Sequence, residues 1–250
     1  MNPTATIRNL TLGTGRPKIC VPIVGRDREE ILGSAQEIKK HIPDLVEWRI
    51  DFLQSVEEML EILPALRKAL EETPLLVTFR TKEEGGERAI SPAEYTVMYQ
   101  KILETGMADA IDVQLFLGED IVTALVEAAK QHGVKVVGSS HDFSATPAEE
   151  EILARLCRMQ ELGMDIAKIA VMPKDEEDLL RLLHATWVMK ERYAKVPIIT
   201  MSMGPVGMLS RLCGEVFGSA LTFGTVGKAS APGQIPVEEL RTALALMAKN

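Results

Sequence analysis

The sequence predicts a single (β/α)8 TIM barrel over residues 1–250, and three observations lead to that fold. Eight short apolar or β-branched segments recur along the chain, and a helix-like segment follows each of them. Strand–helix alternation of this kind is typical of a parallel sheet, and eight units are enough to close one into a barrel. The length also suits one barrel domain. The alternative is an open, doubly wound sheet, which shares the alternation.

The predicted elements follow one another regularly along the chain. Residues 6–18 resemble a short β-hairpin, which we expect to close the bottom of the barrel. The eight predicted strands then cover residues 19–24, 45–51, 74–80, 110–116, 135–141, 166–172, 197–203 and 221–226. No low-complexity tract or interdomain linker interrupts the series, so the pattern predicts one domain.

Local signals predict where several of the helices begin and end. Ser91 and Thr146 each precede a proline and, three residues later, a glutamate. This arrangement is typical of a capped helix start. Gly106, Gly133 and Gly163 stand where three helices should end.

Composition excludes several classes of function. The net charge is −8, whereas a general nucleic-acid-binding protein needs a basic surface. Cys20, Cys157 and Cys213 are far apart, so neither a disulfide framework nor zinc-ligand spacing is visible. The first residues lack the apolar core of a signal peptide, and no apolar run is long enough to span a membrane. We therefore expect a cytoplasmic protein without a nucleic-acid partner or a membrane partner.

Polar residues alternate with apolar ones in several predicted strands. Glu47, Arg49 and Asp51 share one face of the second strand, and Asp112 and Gln114 share one face of the fourth. A strand covered on both sides of a parallel sheet should instead be apolar throughout. A solvated edge strand would show the same alternation, but a closed barrel has no edges. The pattern thus predicts a polar barrel interior near the carboxyl ends of the strands, where barrel active sites lie.

Two residues in this predicted interior have the chemistry of a covalent catalyst and a base. Lys168 lies within the apolar sixth strand, where it has little room to reach water. An unprotonated amine in such a place can form a Schiff base with a carbonyl compound. His141 ends the neighbouring fifth strand and can move protons near neutral pH. Asp142 follows it directly, but adjacent residues of a strand point to opposite faces.

Two glycine-containing loops are expected to cover the barrel mouth. In the loop of residues 80–87, two consecutive glycines allow it to carry Glu83, Glu84 or Glu87 toward the site. The loop of residues 224–234 superficially resembles a phosphate-binding loop, but Thr222 and Ala229 break that pattern. We interpret residues 224–234 as a mobile lid.

A set of short motifs covers nearly the whole chain. They are EWR at 47–49, TFRT and EGGE within 78–87, SHDF at 140–143, KIAVMP at 168–173, ITMSMG at 199–204, SR at 210–211, GEVFGS at 214–219 and KASAPGQ at 228–234. Together and in this order, they closely resemble type I 3-dehydroquinate dehydratase, a lyase (hydro-lyase) of the shikimate pathway that works through a Schiff base. The resemblance implies aromatic amino acid biosynthesis, no metal or cofactor, and a homodimer.

The resemblance also implies a role for each matching residue. Lys168 would condense with the C3 ketone of 3-dehydroquinate. His141 would take a proton from C2 and then protonate the departing C1 hydroxyl, which is a syn elimination of water, while Glu84 holds His141. The residues expected to bind substrate are Arg211, Ser230 and Gln234 at the carboxylate, Glu47, Arg49 and Arg80 at the ring hydroxyls, and Met201, Met203, Phe143, Phe223 and Ala231 along the apolar sides. Gln114 stands where an acid is half-expected, and there it would tune the field near Lys168.

Two other functions fit parts of the pattern. Lys168 alone also allows another Schiff-base barrel enzyme of the aldolase or transaldolase type, but such enzymes often need a phosphate site near strands seven and eight. The second alternative is a non-catalytic barrel that serves as a binding module. An inactive relative would usually have lost Lys168 or His141, and both are present.

Overall fold

A barrel of eight parallel strands forms the centre of the molecule. The computed structural model describes residues 3–227 and 229–248, so Lys228 of the predicted lid lies outside the described residues. A two-stranded hairpin precedes the barrel, with β1 at Ala5–Ile7 and β2 at Leu10–Leu12. The barrel strands are β3 (Lys18–Ile23), β4 (Leu45–Arg49), β5 (Leu75–Thr78), β6 (Ala110–Gln114), β7 (Lys135–Asp142), β8 (Ile166–Val171), β9 (Ile198–Ser202) and β10 (Leu221–Thr225). Each overlaps one of the predicted strands, so the predicted fold class is confirmed.

Strand pairing follows the order of the sequence. Parallel ladders join each neighbour from β3 to β9, and β10 pairs with β3. The seam between β9 and β10 is closed by a parallel bridge from Ile198 to Ser219 and by a hydrogen bond from the Ala220 amide to the Ile198 carbonyl (2.8 Å). A two-residue strand, β11 (Ile235–Pro236), follows the lid and pairs in parallel with the end of β10.

Helices and short turns connect the strands on the outside. The helices are α1 (Arg28–Lys40), α2 (Val56–Leu70), α3 (Pro92–Glu104), α4 (Glu119–Gln131), α5 (Glu149–Glu161), α6 (Glu176–Val188), α7 (Met208–Leu212), α8 (Gly214–Phe217) and α9 (Val237–Met247). Single 3-10 turns cover Ile50–Phe52, Lys82–Glu84 and Leu115–Leu117, and a π turn covers Met189–Tyr193. Among the described residues, none of the helices has the length and apolar character needed to cross a membrane.

The capping predictions had different outcomes. Ser91 forms a complete capping box with Glu94, as predicted. The prediction at Thr146 is wrong, because α5 begins only at Glu149 and its cap is Ala148. The Thr146 hydroxyl instead donates to the Met172 carbonyl (3.1 Å) in the loop after β8. The hydroxyl is therefore not used to cap the start of α5.

The strands separate two apolar clusters with different tasks. Residues on the outer strand faces, such as Trp48 and Phe79, pack against the helices. Residues on the lower part of the inner faces, such as Leu45 and Ile166, form a second cluster that includes Ile7 and Leu12 of the hairpin. The hairpin therefore closes the bottom of the barrel, as predicted. Polar side chains fill the interior above this cluster.

Candidate active site

All fourteen residues that the resemblance assigns to catalysis or substrate binding line one cavity at the carboxyl ends of the strands. They are Glu47, Arg49, Arg80, Glu84, His141, Phe143, Lys168, Met201, Met203, Arg211, Phe223, Ser230, Ala231 and Gln234, joined by Gly85 and Ala170. The free volume is about 40 Å³, room for a few water molecules only.

Lys168 lies on the floor of this cavity. Its position in the middle of β8 leaves the residue 4% exposed. The Nζ atom lies 3.5 Å from Asp112 Oδ2 on β6 and 3.7 Å from Glu47 Oε1 on β4. On another side it stands 4.6 Å from the centre of the Phe223 ring. Two carboxylates and an aromatic ring therefore enclose this nitrogen.

Arg80 connects the acids that surround the lysine. Its Nη2 donates to Asp112 Oδ2 (2.8 Å), and its Nη1 donates to Glu84 Oε2 (3.2 Å) and to Ser139 Oγ (2.9 Å). Ser139 in turn donates to Asp112 Oδ1 (2.6 Å). Burial alone would raise the pKa of Asp112, but the positive charges of Arg80 and Lys168 lower it below the ordinary value. Asp112 is therefore held as a carboxylate.

The ionic network, as we name Glu47, Arg80, Glu84, Asp112 and Lys168, reaches the predicted base through Glu84. The Oε2 atom of Glu84 lies 2.9 Å from His141 Nδ1 and also accepts the His141 backbone N–H (3.0 Å). Burial raises the pKa of Glu84 to about 7. Burial, followed by the charge of Arg80, holds the pKa of His141 well below its ordinary value. His141 is therefore neutral near pH 7 and able to accept a proton.

Arg49 is held at the rim of the cavity by a second ion pair. Its Nε and Nη2 donate to the two oxygens of Asp51, each at 2.8 Å. Asp51 also accepts the backbone N–H groups of Arg80 (3.3 Å) and Glu87 (3.1 Å). The same carboxylate thus orients Arg49 and anchors both ends of the loop that carries Glu84.

Arg211 occupies the opposite wall in a different electrostatic setting. It extends from α7, is only 1% exposed and has no carboxylate partner among the described residues. Its Nη2 donates to the Pro232 carbonyl of the lid (3.0 Å), its Nη1 lies 3.7 Å from Met201 Sδ, and its Nε has no partner. Burial lowers the pKa of this guanidinium to about 10. The wall therefore holds a buried cation with unused donors.

The described part of the lid is ordered by its own side chains. The Ser230 backbone N–H donates to Gln234 Oε1 (2.9 Å), and Gln234 Nε2 donates to Ser230 Oγ (3.0 Å). Gly233 lies so close to Gly204 that an added Cβ would approach the Gly204 carbonyl oxygen to 2.6 Å. Ser230 and Gln234 line the same cavity as Arg211, which itself donates to the Pro232 carbonyl between them.

Three residues of these hydrogen-bond networks, Asp51, Asp112 and Ser139, were assigned no role from the sequence. Alternation with apolar residues was the available signal for Asp51 and Asp112, whereas Ser139 stands between Gly138 and Ser140 and carries no such signal. Asp142 points away from the site, as expected, and accepts from the Ser144 hydroxyl (2.7 Å). Gln114 contacts Thr81 rather than the surroundings of Lys168.

The described residues contain no group of three or more histidine, cysteine, aspartate or glutamate side chains placed to hold a metal ion. In the cavity, each carboxylate instead lies beside a cationic or hydrogen-bonding side chain. This arrangement suits acid–base chemistry and covalent chemistry at a buried amine.

Comparisons with known proteins agree with this geometry. The profile of the family described as Type I 3-dehydroquinase matches residues 19–250. A 3-dehydroquinate dehydratase of Clostridioides difficile (strain 630) is 51% identical, over 100% of this chain and 99% of that protein. Another, of Bacillus licheniformis, is 50% identical and covers 100% of both chains.

A solved structure matches the three-dimensional arrangement. It is described as a type I 3-dehydroquinate dehydratase from Clostridium difficile with covalently modified comenic acid. The two chains are 50% identical and superpose with a TM-score of 0.95, over 99% of this chain and 98% of the other.

Proposed function

The chain belongs to the type I 3-dehydroquinase family, and we propose that it dehydrates 3-dehydroquinate to 3-dehydroshikimate through an imine on Lys168. The observation that carries this proposal is the content of one cavity. A buried lysine, a neutral histidine and an arginine without a carboxylate partner line it together. A ketone that carries a carboxylate and loses water from the β position needs these three groups.

The first step joins the substrate to the enzyme. The Lys168 amine attacks the C3 carbonyl, the carbonyl oxygen leaves as water, and a protonated imine remains. Asp112 and Glu47 lie within 3.7 Å of the nitrogen and stabilise its positive charge. The iminium then acts as the electron sink for the next step, so no metal is required.

His141 transfers the proton in the second step. Neutral His141 removes a proton from C2, and the electron pair of the C–H bond moves toward the iminium to give an enamine. The enamine then expels the C1 hydroxyl, which leaves as water with the proton that His141 returns. A single base serving both carbons from one side accounts for a syn elimination. Hydrolysis of the product imine regenerates Lys168.

Glu84 selects the useful form of the base. When ionised, it accepts a hydrogen bond from His141 Nδ1, and this leaves Nε2 with a free electron pair. The same carboxylate stabilises the imidazolium that exists between the two proton transfers. Both effects require only the observed contact of 2.9 Å.

The opposite wall binds the substrate carboxylate. The planar fork of Arg211 suits a bidentate carboxylate, which would supply the anionic partner that the described protein does not. Ser230 and Gln234 add polar groups from the lid. Arg49, Arg80 and Glu47 remain the predicted partners of the ring hydroxyls. Apolar side chains bound the ring, namely Met201, Met203, Phe143, Phe223 and Ala231.

Covalent trapping tests the proposal directly. We expect 3-dehydroquinate followed by borohydride to leave a reduced adduct on Lys168, located by mass spectrometry of peptides. Lys168→Met removes the amine while keeping an apolar chain of similar length, and we expect neither adduct nor turnover. Lys174→Met, at an exposed lysine in the loop after the same strand, is the matched control. Full turnover by a folded Lys168→Met protein would refute the mechanism.

The organisation of the chain as a single domain and its assembly as a homodimer stay predictions.

A further inference from the structure

Gln114, at the end of β6, is buried behind the site and has no part in the proposed chemistry. It is 3% exposed and does not line the substrate cavity. Its two amide atoms both contact Thr81. The Thr81 backbone N–H donates to Gln114 Oε1 (2.8 Å), and Gln114 Nε2 donates to Thr81 Oγ1 (3.1 Å). One neutral side chain thus holds one residue of the neighbouring loop by two hydrogen bonds.

Thr81 is the residue from which the turn carrying Glu84 begins. Its carbonyl accepts the backbone N–H groups of Glu84 (3.0 Å) and Gly86 (2.9 Å). The single turn Lys82–Glu84 follows it directly and ends at Gly85. The position of Thr81 therefore determines where the Glu84 carboxylate stands relative to His141.

The loop has little freedom to absorb a displacement of Thr81. An added Cβ on Gly86 would stand 1.9 Å from the Arg80 carbonyl oxygen, and one on Gly85 would stand 2.3 Å from the Phe143 ring. Backbone and ring thus pack directly against both glycines. A shift at the start of the turn must consequently move the carboxylate at its end.

We propose that Gln114 is a positioning residue, which holds the Glu84–His141 pair in its catalytic geometry through its two hydrogen bonds to Thr81. It touches neither the substrate nor the reacting atoms. The inference rests on the proposed function, because it assigns a purpose to the position of the proposed base. Arg80 contacts the Glu84 carboxylate, and a side-chain hydrogen bond from Gln114 also lowers the pKa of that carboxylate. The two bonds of Gln114 to Thr81 additionally fix the backbone from which Glu84 extends.

An amide at this position also keeps the local charge unchanged. The charged groups that face the Glu84–His141 pair are Arg80 from the loop after β5, Asp112 from β6, Lys168 from β8 and Arg49 from β4. A glutamate at position 114 could still accept hydrogen bonds from the backbone N–H and the hydroxyl of Thr81. It would, however, add a negative charge beside Glu84. The two effects of the residue, on position and on charge, can therefore be separated by substitution.

Two variants test the proposal, with the imine as an internal reference. Gln114→Leu removes both hydrogen bonds, and we expect kcat to fall about 10- to 100-fold because a base displaced by about 1 Å loses that much rate. KM should change little, and the Lys168 imine should still be trapped by borohydride. Gln114→Glu should restore most of kcat above neutral pH while moving the acid limb of the pH profile upward. Gln131→Leu, at an exposed glutamine in α4, is the control.

The failures of the two proposals have different signatures. No Lys168 adduct in the unmodified protein would contradict the proposed function. A normal adduct together with an unchanged kcat in Gln114→Leu would overturn only the role of Gln114. The role would also be overturned if Gln114→Glu lost as much kcat as Gln114→Leu with an unchanged pH profile. Thr81→Val keeps the backbone N–H and removes the hydroxyl, so a folded protein with a smaller loss of kcat supports the proposal if Gln114→Leu fails to fold.

Discussion

On the side of the barrel mouth formed by β4 to β8, each buried cation lies beside a carboxylate. Arg80 pairs with Asp112 and Glu84, and Lys168 lies within 4 Å of Asp112 and Glu47. On the side formed by α7 and the lid, Arg211 is equally buried and has no such partner among the described residues. The two sides are only one cavity width apart, yet their charges are balanced in different ways.

On the first side the protein itself supplies the counterions of its buried cations, whereas on the second side the substrate would supply the counterion of Arg211. Opposite charges in the ionic network satisfy one another before any ligand binds, so the reacting groups are preorganised. A buried cation without a counterion is unfavourable for the free protein. An anionic ligand that binds beside Arg211 offsets this unfavourable free energy. The site therefore favours ligands that carry a carboxylate. The comparison predicts that removing one charge will have opposite effects on stability at the two sides.

The largest effect is expected from removing a carboxylate on the balanced side. Asp112→Asn leaves Arg80 and Lys168 buried with less negative charge around them. We expect the free energy of unfolding to fall by about 3–5 kcal/mol, which is typical when one partner of a buried ion pair is removed. Urea denaturation followed by circular dichroism measures it. Activity should also fall, because the iminium loses a stabilising carboxylate.

An exposed ion pair provides the control for Asp112. Glu72→Gln breaks the pair with Arg8 at a side chain that is 80% exposed, and we expect a loss below about 1 kcal/mol. If Asp112→Asn and Glu72→Gln lowered the free energy of unfolding equally, the buried ionic network would contribute no more to stability than an exposed ion pair.

Much of this arrangement could be predicted from the sequence because strand periodicity is simple. Alternation placed Glu47, Arg49 and Asp112 on inward faces, and parallel strands bring their carboxyl ends to one rim. The resemblance to a known family then singled out residues on separate loops, such as Glu84 and Arg211. All of the residues assigned to the site line the same cavity.

The remainder depends on contacts between strands and loops that no local pattern records. Alternation predicts that Asp112 on β6 faces inward, but not that Ser139 on the neighbouring strand β7 donates to it. Thr146 has the neighbours of a helix cap, yet its hydroxyl binds a carbonyl in the loop after β8. Gln114 was expected near Lys168, and only the structure shows that it binds Thr81. In each case, a partner distant in sequence decides the outcome.

Removing the cation on the other side should have the opposite consequence for stability. Arg211→Met eliminates a buried charge and keeps an apolar chain, so we expect the free energy of unfolding to stay the same or rise. The kcat/KM value should fall about 100- to 1000-fold, mainly through KM, since a charge-assisted bidentate pair with the substrate carboxylate is lost. Steady-state kinetics and urea denaturation of the same preparation measure both quantities.

Arg211→Lys refines this test, because it keeps the charge and removes the planar fork. We expect it to recover only part of kcat/KM. A large loss of stability in Arg211→Met would mean that the guanidinium serves the fold through the Pro232 carbonyl rather than the substrate.

The smallest expected effect is the pH dependence that the ionic network imposes on the base. Burial raises the pKa of Glu84 to about 7. A protonated Glu84 can donate to His141 Nδ1, which places the ring proton on Nε2 and leaves no electron pair there to accept the substrate proton. Protonation of Glu84 as the pH falls therefore removes the competent form. We expect kcat/KM to be constant above about pH 7 and to decrease about tenfold per pH unit below it.

Glu84→Gln identifies the group responsible for this limb. Its amide oxygen can still accept from His141 Nδ1, but it does not titrate, so the limb should then belong to His141 itself. Because burial and the charge of Arg80 hold the pKa of His141 well below its ordinary value, the limb should move to lower pH, with a reduced plateau since the imidazolium loses its counterion. Rate profiles between about pH 5 and 9 measure the shift. A limb that stays near pH 7 in Glu84→Gln would show that the titrating group lies elsewhere in the ionic network. The pH dependence of the rate would then be set by a group other than the Glu84–His141 pair that transfers the proton.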